Sequence, residues 1–182
     1  MPLHVSHNLF FALWPDDDVR AGIEAAARDL RARYPGGRWI KSHRYHLTLR
    51  FLGGHARRPD ELIALASAAG DRVRASSFEF ALDVAGSFRN RSMPWWLGCH
   101  STPEPLGALW GAIDAELAPG GDSDSGVRQR IPHVTLVRDA DRVLKPTPIA
   151  PIAWPVGEFV LVHSQLGADS RYTVVRRWPL SS

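Results

Sequence analysis

Six consecutive apolar residues, from Leu9 to Trp14, are closed by Pro15 and form the first recognisable element of the chain. A run so short and so aromatic fits a buried strand better than a helix. Asp16, Asp17 and Asp18 then supply an N-cap and the negative first turn that a helix favours, and Val19, Ile23, Ala26, Leu30 and Tyr34 recur at helical spacing until Pro35-Gly36-Gly37. From His46 to Leu52 the period drops to two. This puts His46, Thr48 and Arg50 on one face and Leu47, Leu49 and Phe51 on the other, with Gly53-Gly54 expected to break the strand. Pro59 and Asp60 open a second predicted helix with Leu62, Leu65, Ala69 and Val73 inward. Residues 78–88 alternate again, with Phe78, Phe80, Leu82 and Val84 on one face, and a hairpin turn near Asn90 leads to Trp95-Trp96-Leu97, where alternation lets at most one indole face a cleft.

A third helix is predicted over 104–117, with Leu106, Leu109, Ile113 and Leu117 in register. Residues 119–126 read as a mobile loop, 133–137 as a strand, 145–155 as a proline-rich irregular segment, and 159–166 and 172–178 as two strands joined by a hairpin. No stretch is long enough to act as a linker between folding units, so residues 1–182 are expected to form one domain. Alternating strands and helices, joined in places by tight hairpins, predict an α+β fold with antiparallel pairing.

Composition narrows the class. The chain has 182 residues, 45% hydrophobic and 23% charged, which excludes disorder and is sufficient for a core without disulfides. Its single cysteine, Cys99, cannot form an internal bridge and is expected to be a buried filler, which suits a reducing compartment. No apolar run approaches the roughly 20 residues of a membrane helix, and no secretory signal pattern is visible, so a cytoplasmic location is expected. Net charge is only +3, but arginines such as Arg138, Arg171, Arg176 and Arg177 suit a phosphate partner through bidentate geometry.

The most informative feature is a repeated tetrapeptide. His46-Leu47-Thr48-Leu49 is echoed 87 residues later by His133-Val134-Thr135-Leu136. Both copies fall in predicted strands, where a period of two sends His and Thr to one face and the aliphatic residues to the core. Two such strands side by side would offer two imidazoles and two hydroxyls to a shared cleft. One imidazole can accept a proton while the other donates one, and the hydroxyls can hydrogen-bond non-bridging phosphate oxygens. Attack and departure at phosphorus occur on opposite sides, which two symmetric motifs can flank. A zinc site finds little support, since neither copy carries a second ligand at close spacing, and no Gly-x-Ser-x-Gly points to a serine nucleophile.

These motifs, together with Leu9-Phe10-Phe11-Ala12, Trp96-Leu97-Gly98, Arg138-Asp139, Arg171-Tyr172 and Arg177-Trp178, resemble the 2H phosphoesterase superfamily, in particular the bacterial RNA 2′,3′-cyclic phosphodiesterases also called 2′-5′ RNA ligases. The resemblance implies a bilobal fold with two pseudo-symmetric antiparallel sheets flanking a central cleft and helices outside. It further implies His46 as proton donor, His133 as proton acceptor, Thr48 and Thr135 as phosphate ligands, and no metal or other cofactor. The substrate implied is RNA with a 2′,3′-cyclic phosphate end, hydrolysed to a 2′-phosphomonoester. Arg138 stands where the family has a phosphate-binding arginine, although strict alternation would turn it away from His133 unless a twist, a bulge or its long side chain brings it round. Phe11 resembles a ring that stacks on the terminal base. Rival readings are a phosphodiesterase for another small cyclic phosphate or for 2′-5′ oligonucleotides, and a non-catalytic RNA-binding module.

Overall fold

The computed structural model describes residues 6–118, 130–167 and 170–182, so the expected loop at 119–126 lies outside the described residues. Strands β1 (Ser6–Leu13), β2 (Arg38–Trp39), β3 (Leu47–His55), β4 (Phe78–Ser87), β5 (Trp95–Gly98), β6 (His133–Arg138), β7 (Thr147–Val156), β8 (Glu158–Leu166) and β9 (Arg171–Pro179) are joined with helices α1 (Asp17–Arg33), α2 (Asp60–Arg72) and α3 (Glu104–Leu117). The strands form one sheet in the order β7-β4-β5-β6-β3-β1-β8-β9, with β2 added alongside β6. Its named strands all pair antiparallel, and β3 meets β6 through a single pair, Leu47 with Val134. The two four-stranded halves expected as separate sheets are therefore linked by one rung.

Helix α1 begins as its sequence dictates: the Asp16 carboxylate accepts from the Val19 amide at 2.9 Å, and Val19, Ile23, Ala27 and Leu30 are buried. It packs on β7, while α2 and α3 pack together and against β9 and β3 respectively, so each half of the sheet has helices on one face. In α2 the buried positions are Ile63, Ala66, Ala69 and Gly70, and Leu65, expected inside, is 68% exposed.

Two other expectations are corrected. Gly53-Gly54 does not end β3: the strand runs on to His55, with Gly54 opposite Asn8 and His55 opposite His7. Gly53 takes φ +99°, a conformation open to glycine, and absorbs an irregularity in the ladder there. The proline-rich segment is strand β7. It lies at the sheet edge, where Pro148, Pro151 and Pro155 are exposed and their missing N–H groups cost no ladder bond on the open side.

One large core contains Leu9, Phe11 and Leu13 of β1 and reaches under both halves. The alternate β1 residues Phe10 and Ala12 pack with Val160 and Val162 in a small separate cluster on the opposite face of the sheet. That second face carries the repeated motifs.

Candidate active site

The rung between Leu47 and Val134 fixes how the two motifs meet. Stepping one residue along antiparallel strands in each direction sets His46 across from Thr135 and His133 across from Thr48, all on the face opposite Leu47 and Val134. The register brings both imidazoles to one face, one from each half of the sheet. All four side chains are half-buried, whereas Leu47, Leu49, Val134 and Leu136 are buried.

Each imidazole is held the same way. His46 Nδ1 lies 2.7 Å from the Arg44 carbonyl oxygen, and His133 Nδ1 lies 2.7 Å from that of Ile131. A carbonyl only accepts, so Nδ1 carries the proton in both rings and Nε2 is the atom left for chemistry. A neutral ring then presents a base at Nε2, and a charged ring an acid.

The surroundings differ. The His46 ring stacks on Phe10, with centroids 4.8 Å apart, and on Trp14 at 5.8 Å, and is tilted against Tyr172. Arg44 bonds the Tyr172 hydroxyl at 3.0 Å and lies over that ring. His133 meets Phe88 edge-on at 4.9 Å. Burial pushes the His46 pKa down to about 4, only partly opposed by its bond to the Arg44 carbonyl, with His133, Arg138 and Arg44 adding positive charge nearby. His133 is lowered too, first by burial and further by Arg138. Arg138 thus acts on both rings.

The reason is a bulge. Trp95 pairs with Val137 and Trp96 with Thr135, so Leu136 and Val137 together oppose one residue and both turn inward. Arg138 consequently emerges, exposed, on the face of His133 and Thr135. Strand β3 repeats the device, since Phe11 pairs with Arg50 and Ala12 with Thr48. Arg50 is thereby removed from the cleft face expected for it and meets Asp114 of α3 at 3.3 Å, beside Arg130. Phe51, expected on the core face, pairs with Phe10 on the cleft side and is 54% exposed.

Phe11 does not reach the cleft. It is fully buried on the opposite face, against Phe159 and Trp178, which removes it as a stacking surface for a base. Phe51 is the ring that alternation missed; the corresponding sixth positions of the two motif strands, Phe51 and Arg138, both become cleft residues through bulges. Trp96 is the cleft-side member of the tryptophan pair, opposite Thr135, and its indole lies so close over Gly86 that a Cβ there would sit 2.8 Å from the ring. His163 is buried beside His7, with ring nitrogens 2.9 Å apart, on the face away from the cleft. His43 is exposed, just before β3.

Two half-sites, each a histidine and a threonine on adjoining strands with an arginine common to both, define a phosphoesterase of the paired-histidine class. The family model for LigT-like phosphoesterases matches residues 13–96. An Escherichia coli (strain K12) protein named RNA 2′,3′-cyclic phosphodiesterase is 33% identical, over 95% of this chain and 96% of its own length. One of the same name from Thermus thermophilus is 32% identical, over 94% and 89%. The crystal structure of E. coli LigT in apo form superposes with a TM-score of 0.77 at 32% identity, covering 97% of this chain and 99% of that one. The chain belongs to the LigT-like, 2H phosphoesterase family.

Proposed function

We propose that the protein hydrolyses 2′,3′-cyclic phosphate ends of RNA, or the corresponding cyclic nucleotides, to 2′-phosphomonoesters, using no metal ion. The observation that carries this reading is the matched pair of imidazoles, each with Nδ1 tied to a carbonyl two residues back and Nε2 left free. His133 Nε2 takes a proton from water as its oxygen attacks phosphorus. The bond from phosphorus to O3′ breaks, and His46 Nε2 gives its proton to that oxygen, leaving a 3′-hydroxyl and a 2′-phosphate. Thr48, Thr135 and Arg138 hold the non-bridging oxygens. With a 5′-hydroxyl RNA end in place of water, the same transfers yield a 2′-5′ linkage. The curated relatives' name and the E. coli LigT structure complexed with 3′-AMP support the substrate class. The lone Cys99 supports a reducing, cytoplasmic setting.

The aromatic faces around His46 support its role as donor, because an imidazolium gains cation–π attraction that an edge-on ring such as Phe88 does not give His133. In the free protein His46 is neutral at pH 7, since its pKa lies near 4. A bound diester anion must therefore raise it. Binding of a cyclic nucleotide to a His133→Ala variant is expected to take up part of a proton between about pH 5 and pH 7, read by calorimetry in buffers of different ionisation heat. Affinity unaccompanied by proton uptake would remove His46 as donor. The same depression makes folding sensitive to acid: the stability that His46 contributes as a neutral ring is complete above about pH 6.5 and is lost as pH falls toward 4.

Phe51 is placed to stack on the terminal base. Phe51→Ala is expected to raise KM for a cyclic mononucleotide about tenfold with little change in kcat, since base stacking on an aromatic ring contributes about 1–3 kcal/mol. An unchanged KM would assign the base elsewhere. The decisive assay incubates the protein with an RNA ending in a 2′,3′-cyclic phosphate in the presence of EDTA. A 2′-phosphate product is expected, and a 3′-phosphate would reverse the assignment of the leaving oxygen.

A further inference from the structure

A basic recess adjoins the catalytic strand on the side of α1. It has a volume of about 450 Å³ and is lined by Arg28, Arg31, Lys41 and His43, with Glu24 and Trp39 also in its wall. Glu24, Arg28 and Arg31 follow one another at helical spacing on a single face of α1. All four basic residues are exposed, and among the described residues Arg28, Arg31 and Lys41 take part in no salt bridge. The Arg31 guanidinium lies over the Trp39 ring at 6.0 Å, which holds it at the wall of the recess. Two guanidinium groups and an ammonium group thus line one cavity, none of them engaged by a carboxylate among the described residues.

A chain of contacts links the recess to the His46 ring. Arg20, one turn before Glu24 on the same helix face, lies over Trp14 at 5.7 Å and donates to the Ser42 carbonyl, and Trp14 in turn stacks on His46. From Arg20 the face runs about 16 Å along the helix to Arg31. His43, at the recess, is three residues from His46, a span of at most about 11 Å. We propose that this recess binds backbone phosphates of the RNA chain upstream of its cyclic end, so that Arg28, Arg31 and Lys41 hold the body of the substrate while the cleft holds the terminal nucleotide. The inference rests on the RNA-end reading above, and supplies what the cleft alone lacks: a way to distinguish a polynucleotide end from a free cyclic nucleotide.

The test compares wild type with Arg28→Glu/Arg31→Glu, two exposed helix positions whose change is checked by thermal melting. Binding is read by fluorescence anisotropy with a ten-nucleotide RNA ending in a 2′-phosphate, over a range of salt concentrations, and turnover with a 2′,3′-cyclic mononucleotide. The expected result is at least a tenfold loss of decamer affinity, a salt slope shallower by about 1.4, as for two lost single-strand phosphate contacts, and mononucleotide kcat/KM within twofold of wild type. Unchanged decamer affinity overturns the proposal, as does an equal loss on the mononucleotide. A folded variant with the same salt slope as wild type also overturns it. Wild-type protein that binds the decamer through these arginines but opens no cyclic phosphate sinks the hydrolytic reading alone, because the anisotropy measurement does not depend on turnover.

Discussion

Replacing His46 or His133 by alanine is expected to lower turnover of a 2′,3′-cyclic nucleotide by about 10²–10⁴-fold, the range that a positioned general acid or base contributes. The double replacement is expected to lose little beyond the worse single one, because acid and base act within one displacement and their effects do not multiply. The fold should survive. Each ring is half-buried and makes one hydrogen bond to a carbonyl, a net contribution of about 1 kcal/mol, so the melting temperature should fall by only a few degrees. Steady-state kinetics and circular dichroism on the same preparations separate the two effects. Undiminished turnover in either single variant would end the two-histidine mechanism.

The second large effect is on stability. Phe11 has no exposed surface and packs on Phe159 and Trp178, so Phe11→Ala should destabilise the fold by about 3–5 kcal/mol, seen as a lower urea midpoint. Under conditions where that variant remains folded, its KM for a cyclic nucleotide should match wild type. Phe51→Ala is expected to do the reverse. A Phe11→Ala protein of native stability but weakened substrate binding would contradict the placement of these two rings on opposite faces of the sheet.

The sequence carried the parts of the fold whose signal is local. The helical period of α1, its Asp16 cap, the inward face of α3 and both His-x-Thr strands were all readable, because each depends on spacing within a dozen residues. What a strict period cannot convey is its own interruption. The bulges at Leu49-Arg50 and Leu136-Val137 arise from pairing with strands distant in sequence, Phe11 with Arg50 in one case and Trp95 with Val137 in the other. They exchange the sides of Arg50 and Phe51 and bring Arg138 round to the histidines. Strand β7 was obscured for a related reason, since three prolines argue against a strand until its edge position is known. Phe10 and Phe11 are neighbours of identical chemistry in an apolar run, and only the packing of Val160 and Val162 beneath one and Phe159 against the other tells them apart. The recess along α1 gave no signal, because Arg28 and Arg31 stand apart in sequence from Lys41 and His43 and only the fold brings them to one cavity.

A sheet crossed at its middle by one rung consists of two plates that meet at Leu47 and Val134 and share a single core beneath them. Within each plate a histidine, its threonine and its supporting carbonyl keep their mutual geometry, fixed by neighbouring strands and a dense interior. Each histidine thus takes its aim from its own half, while the spacing between the two rings is set by the register at that one rung and by the core the halves share.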